Sequence, residues 1–187
     1  MIKRPLNFPH EILKNTIVEG DHVIDATVGN GHDTNLLAQL VGERGKVYGF
    51  DIQQQAIENT REKLLLTGQL SQVELIQDGH ENINNYMPEG EQIAAITFNL
   101  GYLPKGDKSI ITKAHTTVSA IEQSLVLLRK QGIISIMIYF GHEGGLEEKE
   151  KVDQFVADLP QVSYQVFMYK IVNQVNNPPY LYIIQKI

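Results

Sequence analysis

The chain has 187 residues, 42% of them hydrophobic and 20% charged, which is an ordinary globular composition. We therefore predict a single domain over residues 1–187 with a sizeable core. The formal net charge of −6 argues against broad electrostatic binding of nucleic acid, and the absence of cysteine excludes disulfides and cysteine nucleophiles. No apolar run is long enough to cross a bilayer, so we predict a cytoplasmic protein with no membrane partner. We also predict no metal site.

Hydrophobic periodicity predicts alternating helices and strands. Helices are expected over residues 8–19, 32–42, 54–66, 81–86, 112–130 and 147–159. Strands are expected over 22–28, 47–51, 73–76, 93–98 and 133–139, and then, with no helix between them, over 162–171 and 180–185. This order predicts an α/β fold: a mostly parallel seven-stranded sheet with helices on both faces and a C-terminal antiparallel hairpin.

Two spaced glycines follow the first predicted strand. Gly29 and Gly31 lack a Cβ atom where the backbone would bend sharply beside a ligand, and the next helix would point its first amides at that ligand. However, Thr34 replaces the third glycine of the dinucleotide fingerprint, and Asp25 and Asp33 would repel a pyrophosphate. A ligand that carries a cation and hydroxyls therefore fits this stretch better than a dinucleotide does.

An acidic residue ends the second predicted strand. Asp51 follows Gly31 by about 20 residues, the offset at which an acidic side chain binds a ribose diol. The alternative is a glycine-containing turn that binds no ligand. The offset of Asp51 favours the cofactor interpretation.

The stretch from Asp25 to Thr34, together with Asp51, resembles the cofactor half of the class I S-adenosylmethionine (SAM) methyltransferases, whose fold is Rossmann-like. The resemblance implies SAM as the cofactor. After the third strand, Asp78 and His80 would bind near the adenine, with a helix cap and a packing histidine as their alternatives. The predicted cofactor-binding residues are Asp25, Thr27, Gly29, Asn30, Gly31, Asp33, Thr34, Asp51, Gln53, Asp78, His80 and Asn99.

Polar residues also follow the fourth and fifth predicted strands, whose ends share one edge of a parallel sheet. Asn99-Leu-Gly-Tyr102 lies where related amino-methyltransferases carry Asn-Pro-Pro-Tyr, so Asn99 is expected to orient an amine and Tyr102 to stack on a base. His142 lies on a glycine-rich loop and is expected to accept a proton. Edge packing for Tyr102 and solvent exposure for His142 are the alternatives. We predict that Asn99, Tyr102 and His142 are catalytic.

A literal Asn-Pro-Pro-Tyr occurs at residues 177–180, near the C-terminus. It follows the sixth predicted strand rather than the fourth, so we interpret it as the hairpin turn and not as the catalytic motif. That turn would still lie on the active side of the sheet. The predicted substrate-binding residues are therefore Leu100, Gly101, Tyr102, Lys105, Tyr139, His142, Asn177 and Tyr180.

Residues 23–34, 99–107, 139–145 and 177–181 together resemble a small bacterial group that was first named as rRNA methylases and that includes the tRNA 5-aminomethyl-2-thiouridine methyltransferases. The resemblance implies SAM-dependent conversion of the aminomethyl group at tRNA wobble position 34 into methylaminomethyl. It also implies the tRNA anticodon stem-loop as partner. A homodimer, an rRNA or small-molecule methyltransferase, an NAD-type oxidoreductase and a catalytically silent SAM- or RNA-binding module stay open.

Overall fold

The apolar runs of the chain pair side by side in a sheet. The computed structural model describes residues 2–101, 103 and 111–187. Its strands are β1 (His22–Asp25), β2 (Lys46–Phe50), β3 (Val73–Ile76), β4 (Ile93–Leu100), β5 (Leu128–Ile138), β6 (Tyr164–Tyr169) and β7 (Tyr180–Lys186). Within the described residues they form one sheet in the order β3-β2-β1-β4-β5-β7-β6. Strand β7 is antiparallel to both of its neighbours, whereas β1 to β5 pair in parallel, which confirms the predicted mixed sheet and C-terminal hairpin.

Helices cover both faces of this sheet. They are α1 (Phe8–Thr16), α2 (His32–Val41), α3 (Gln54–Thr67), α4 (Ala114–Leu127) and α5 (Gly145–Ala157). Leu13 of α1 and Leu37 of α2 belong to one buried cluster, while Ile121 of α4 and Val152 of α5 belong to another. Because both faces are covered, β4 is buried along nearly its whole length. Among the described residues, no helix has the length and apolar character needed to cross a membrane.

Helix α1 ends at Thr16, earlier than the predicted end at residue 19. Ile17 is extended and buried, whereas Val18 is 62% exposed. The amide of Val18 donates to Oδ2 of Asp21 at 2.8 Å, so a turn replaces the last predicted turn of helix.

Helix α4 also stops early, at Leu127, and β5 begins at Leu128, although periodicity predicted one helix over 112–130. Lys186 explains the stop. Its ammonium group donates to the carbonyl oxygens of Leu125 at 3.2 Å and Leu128 at 2.7 Å, which satisfies backbone acceptors at the end of the helix. This cap comes from the far end of the chain, so local sequence could not show it.

The loops that carry the predicted site leave the sheet at one edge, because β1 to β5 are parallel. Strand β7 starts at the same edge, since Tyr180 pairs with Ile138 at the end of β5. The turn before β7 therefore lies on the side of the sheet that was expected for residues 177–180.

Candidate functional site

A cavity of about 370 Å³ opens at this edge of the sheet, a size within the range of small-molecule sites. Eight of the predicted site residues line it, namely Thr27, Gly29, Asp51, Gln53, Asp78, His80, Asn99 and Gly101. The segment that leads into α4 and the first turn of α4 close the other side of the cavity with Ile111, Thr112, Lys113, His115 and Thr116, none of which was among the predicted cofactor-binding, substrate-binding or catalytic residues. These residues follow the predicted catalytic motif but carry no recognisable pattern of their own.

Asp51 joins two loops at the wall of the cavity. Its Oδ2 accepts from the amide of Gly29 at 2.9 Å and its Oδ1 from the amide of Gln53 at 2.9 Å. Burial raises the pKa of Asp51, although the two amide bonds act in the opposite direction. Each carboxylate oxygen has a further lone pair, so Asp51 can also accept from the hydroxyls of a ribose diol.

His80 presents a buried acceptor beside the same cavity. Its Nδ1 lies 3.2 Å from the carbonyl oxygen of Ala26, and because a carbonyl only accepts, Nδ1 must carry the proton. Burial lowers the pKa of His80, so the ring is neutral near pH 7 and Nε2 holds a lone pair. Nε2 is buried and has no hydrogen-bond partner in the described part of the chain. A ligand N–H, such as the adenine amine, would supply one.

Asp78 also lines the cavity, and its carboxylate is held by its own loop. Its Oδ1 accepts from the amide of Gly79 at 2.7 Å and from Asn82 at 2.9 Å, while Oδ2 accepts from the hydroxyl of Tyr86 at 2.7 Å. The bond from Tyr86 is the main cause of the lowered pKa of Asp78. Asp78 is therefore an ionised acceptor near His80, and its contact with the adenine stays a prediction.

The two glycines of the loop after β1, Gly29 and Gly31, have different surroundings. Both have a positive φ, 53° for Gly29 and 69° for Gly31, but only Gly29 lines the cavity. A Cβ atom on Gly31 would lie 2.6 Å from Oγ1 of Thr60 on α3. Gly31 is thus required where the loop packs against a neighbouring helix, and its approach to the cofactor stays a prediction.

Four further predicted cofactor residues, Asp25, Asn30, Asp33 and Thr34, lie beneath or beside this loop and do not line the cavity either. Asp25 is fully buried, and its Oδ2 accepts from the hydroxyl of Thr34 at 2.6 Å. Burial raises the pKa of Asp25, and the charge of Asp33 adds to this effect. Asn30 accepts from Asn59 of α3 at 3.4 Å. These side chains shape the loop, and a direct contact with the cofactor stays a prediction for them.

Asn99 reaches the cavity from the end of β4. The backbone N–H of Asn99 donates to Oγ1 of Thr27 at 2.7 Å, and the side-chain Nδ2 of Asn99 donates to Oδ2 of Asp33 at 2.8 Å. Oδ1 of Asp33 in turn lies 2.7 Å from Nε2 of His10 on α1. Sequence reasoning missed His10, because nothing in the N-terminal helix marks it as a neighbour of the site.

The loops after β4 and β5 meet at Gly101. A Cβ atom on Gly101 would lie 3.5 Å from both Nε2 of His142 and Cβ of Tyr139, so the structure brings these predicted substrate residues together. The amide of Gly101 donates to Oγ1 of Thr112 at 2.9 Å, and the hydroxyl of Thr112 donates to Glu148 of α5 at 2.7 Å. Glu148 is 2% exposed and is a second feature that sequence reasoning missed.

Of the predicted substrate residues that the structure describes, only Gly101 lines the cavity, and Leu100, Asn177 and Tyr180 do not. Leu100 is fully buried in the core. Tyr180 is 6% exposed, and its hydroxyl donates to Asp153 at 2.6 Å. The side chains of Leu100 and Tyr180 are therefore directed away from the cavity. Asn177 is exposed in the turn before β7. Tyr102 and Lys105 lie outside the described residues.

Residues 47–185 match the family model described as "Putative rRNA methylase". A "tRNA (mnm(5)s(2)U34)-methyltransferase, chloroplastic" of Arabidopsis thaliana is 37% identical over 180 residues, which are 92% of this chain. The chain spans 66% of the length of that relative.

Solved structures match the chain over its full length. The "putative rRNA-methylase" from Clostridium thermocellum is 46% identical with a TM-score of 0.97, and each chain is covered completely. The "putative methyltransferase" from Streptococcus mutans, in complex with SAH, is 43% identical with a TM-score of 0.91, again with complete coverage of both chains. SAH is what remains of SAM after its methyl group has been transferred, and the acceptors on Asp51, Asp78 and His80 suit such a ligand.

Proposed function

Because the chain belongs to the family described as "Putative rRNA methylase" and is a class I methyltransferase that uses SAM, we propose that it methylates the primary amine of 5-aminomethyl-2-thiouridine, or 5-aminomethyluridine, at tRNA wobble position 34. The product would be the corresponding 5-methylaminomethyl nucleoside. Its RNA partner would be the anticodon stem-loop of tRNA.

The position of Asn99 carries this proposal. Asn99 is the next-to-last residue of β4 and lines the same cavity as Asp51, which supports a role for its carboxamide where a methyl acceptor would meet the donor. A carboxamide oxygen accepts an N–H of a neutral amine and thereby directs the nitrogen lone pair. The name of the Arabidopsis relative, a tRNA (mnm(5)s(2)U34)-methyltransferase, supports an aminomethyl uridine as the acceptor.

When bound, the cofactor supplies an electrophilic methyl group on its sulfonium. Asn99 then holds the amine in line with that methyl group, and approximation accounts for most of the rate. An alkylammonium must first lose a proton. His142, whose Nε2 lies close to Gly101 of the cavity wall, is the proposed acceptor, with water as the alternative. Asp25, Asp33 and Asp51 surround the first loop with carboxylates, an arrangement that suits a cationic cofactor.

The test compares RNA substrates directly. The purified protein is incubated with SAM and an anticodon stem-loop that carries 5-aminomethyl-2-thiouridine, and nucleosides are measured by mass spectrometry. We expect a gain of one methyl group on the aminomethyl nitrogen. A matched stem-loop with unmodified uridine is the control and should gain none.

The family description favours rRNA as a second candidate substrate, so rRNA is assayed in parallel. Methylation of rRNA but not of the modified stem-loop would contradict the proposal. SAM binding without transfer to either RNA would instead indicate a module that binds the cofactor but is catalytically silent.

Asn99→Ala gives the same test at the level of one residue. We expect turnover to fall by about a hundredfold or more while the Kd for SAM stays nearly unchanged, because misalignment affects the transition state more than the bound cofactor. Asn15→Ala, at an exposed position of α1, is the matched control. Wild-type turnover by Asn99→Ala would remove the main chemical support for an amine substrate.

A further inference from the structure

Three side chains connect helix α1 to the cavity. His10 of α1 contacts Oδ1 of Asp33 at 2.7 Å, and Oδ2 of Asp33 accepts from the side-chain amide of Asn99 at 2.8 Å. We propose that His10 and Asp33 are positioning residues that fix the orientation of the Asn99 carboxamide toward the amine of the substrate. This inference rests on the proposed function, in which Asn99 touches the substrate.

Asp33 determines which way the carboxamide faces. An ionised carboxylate only accepts hydrogen bonds, so Asn99 must present its NH₂ group to Asp33 and its oxygen to the opposite side. The terminal torsion of asparagine is broad and nearly two-fold, so without Asp33 the amide can turn around at little cost. It would then present N–H donors to an amine whose own N–H groups need an acceptor. The backbone amide of Asn99 donates to Oγ1 of Thr27, but this hydrogen bond does not prevent the rotation because it holds only the main chain.

His10 keeps Asp33 ionised and in place. The hydrogen bond to Asp33 raises the pKa of His10, and although burial alone would raise the pKa of Asp33, the bonds from His10 and Asn99 outweigh it and lower that pKa. In contrast, burial raises the pKa of the neighbouring Asp25. Of these two carboxylates, Asp25 therefore binds a proton more readily, and Asp33 is the anionic acceptor. Thus His10 acts on the reaction only through Asp33 and Asn99.

The first experiment separates turnover from binding. In His10→Ala we expect kcat for methylation of the aminomethylated stem-loop to fall about tenfold, as for loss of a hydrogen bond to a charged group, with the KM for RNA and the Kd for SAM nearly unchanged. In His10→Gln, whose amide can donate to Asp33, most of kcat should return. Asn15→Ala on the same helix should match the wild type. An unchanged kcat in His10→Ala would overturn the inference.

A double-mutant cycle distinguishes positioning from general support of the fold. If His10 acts through the Asn99 amide, then adding His10→Ala to Asn99→Ala should lower kcat no further. The same fold-loss in both backgrounds would mean that His10 acts by another route, and this result would overturn the inference.

A measurement without substrate keeps the inference testable if the proposed function fails. The side-chain amide resonance of Asn99, assigned by its loss in Asn99→Ala, should shift and exchange faster with water in His10→Ala and in Asp33→Ala. An unchanged resonance in both variants would overturn the inference. If instead the wild type fails to methylate the stem-loop while the resonance responds as expected, then the proposed substrate is wrong and the positioning contact stands.

Discussion

Two halves of the cavity are held together in different ways. The half that we propose binds the cofactor, called the cofactor half, comprises the loops after β1, β2 and β3, and there Asp51 accepts from two backbone amides, those of Gly29 and Gln53. The half that we propose binds the substrate, called the substrate half, comprises the loops after β4 and β5 and the start of α4. There Glu148 accepts from two side-chain hydroxyls, Thr112 at 2.7 Å and Thr117 at 2.6 Å.

The two halves differ in the hydrogen-bond donors that their buried acids need. Every residue except proline offers a backbone amide, so one well-placed acid suffices in the cofactor half whatever the neighbouring side chains are. The substrate half requires one hydroxyl in the loop before α4, a second on α4 and a buried acid on α5. A change at any of these three positions should therefore loosen the substrate half and leave the cofactor half intact.

The largest effect is expected from Glu148→Ala. It leaves the hydroxyls of the half-buried Thr112 and the buried Thr117 without their acceptor and should lower the free energy of unfolding by about 3 kcal/mol or more, measured by urea denaturation. Glu147→Ala, an exposed neighbour on the same helix, should change it by less than about 0.5 kcal/mol. If both variants unfold at the same urea concentration, Glu148 does not hold the substrate half.

The next effect tests the cofactor half. Asp51→Ala removes acceptors from the cavity wall and should weaken SAM binding by about 1.5–3 kcal/mol, roughly ten- to a hundredfold, as measured by calorimetry. Glu58→Ala, on the exposed side of α3, is the control. SAM affinity that is unchanged in Asp51→Ala would show that the diol does not bind at Asp51.

A smaller effect is expected where the two tyrosines of β7 meet α5. Tyr180 and Tyr182 both donate to Oδ1 of Asp153, at 2.6 and 2.9 Å. Tyr180→Phe should lower the free energy of unfolding by about 1 kcal/mol but leave methyl transfer unchanged, because the hydroxyl faces Asp153 and not the cavity. Reduced transfer at wild-type stability would restore the prediction that Tyr180 binds substrate.

The smallest effect concerns His10, which links the two halves through Asp33 and Asn99. Because its pKa is raised above 6.5 by the bond to Asp33, its stabilising contribution is complete below pH 6.5 and is lost as the pH rises through the raised value. The side chain is 38% exposed, so solvent screening limits the effect to about 0.5 kcal/mol. Unfolding free energies measured from pH 6 to 9 should show this loss in the wild type and not in His10→Gln. Parallel profiles would mean that the pair is not charged.

Much of the fold could be predicted from local sequence. Strand β4 was expected to begin at Ile93, where it does begin, because a continuous apolar run bounded by turns is typical of a strand buried on both faces. The ends of α1 and α4 could not be predicted, since an acceptor on Asp21 and a cap from Lys186 decide them. Helix ends depend on partners for unsatisfied backbone groups, and periodicity does not report such partners.

For the site, the sequence by itself determined the cofactor half: the acid that ends β2 and the glycine at the cavity, because one βα unit and its next strand carry those signals at a set spacing. Only the tertiary structure decided that Gly31 packs against Thr60 and that Tyr180 donates to Asp153. It also decided that His10 contacts Asp33 and that Glu148 accepts from Thr112. Those contacts join elements that are far apart in the chain, and each depends on at least one side chain. Side-chain pairing of this kind leaves no periodic pattern, so it exists only once the helices have packed on the sheet.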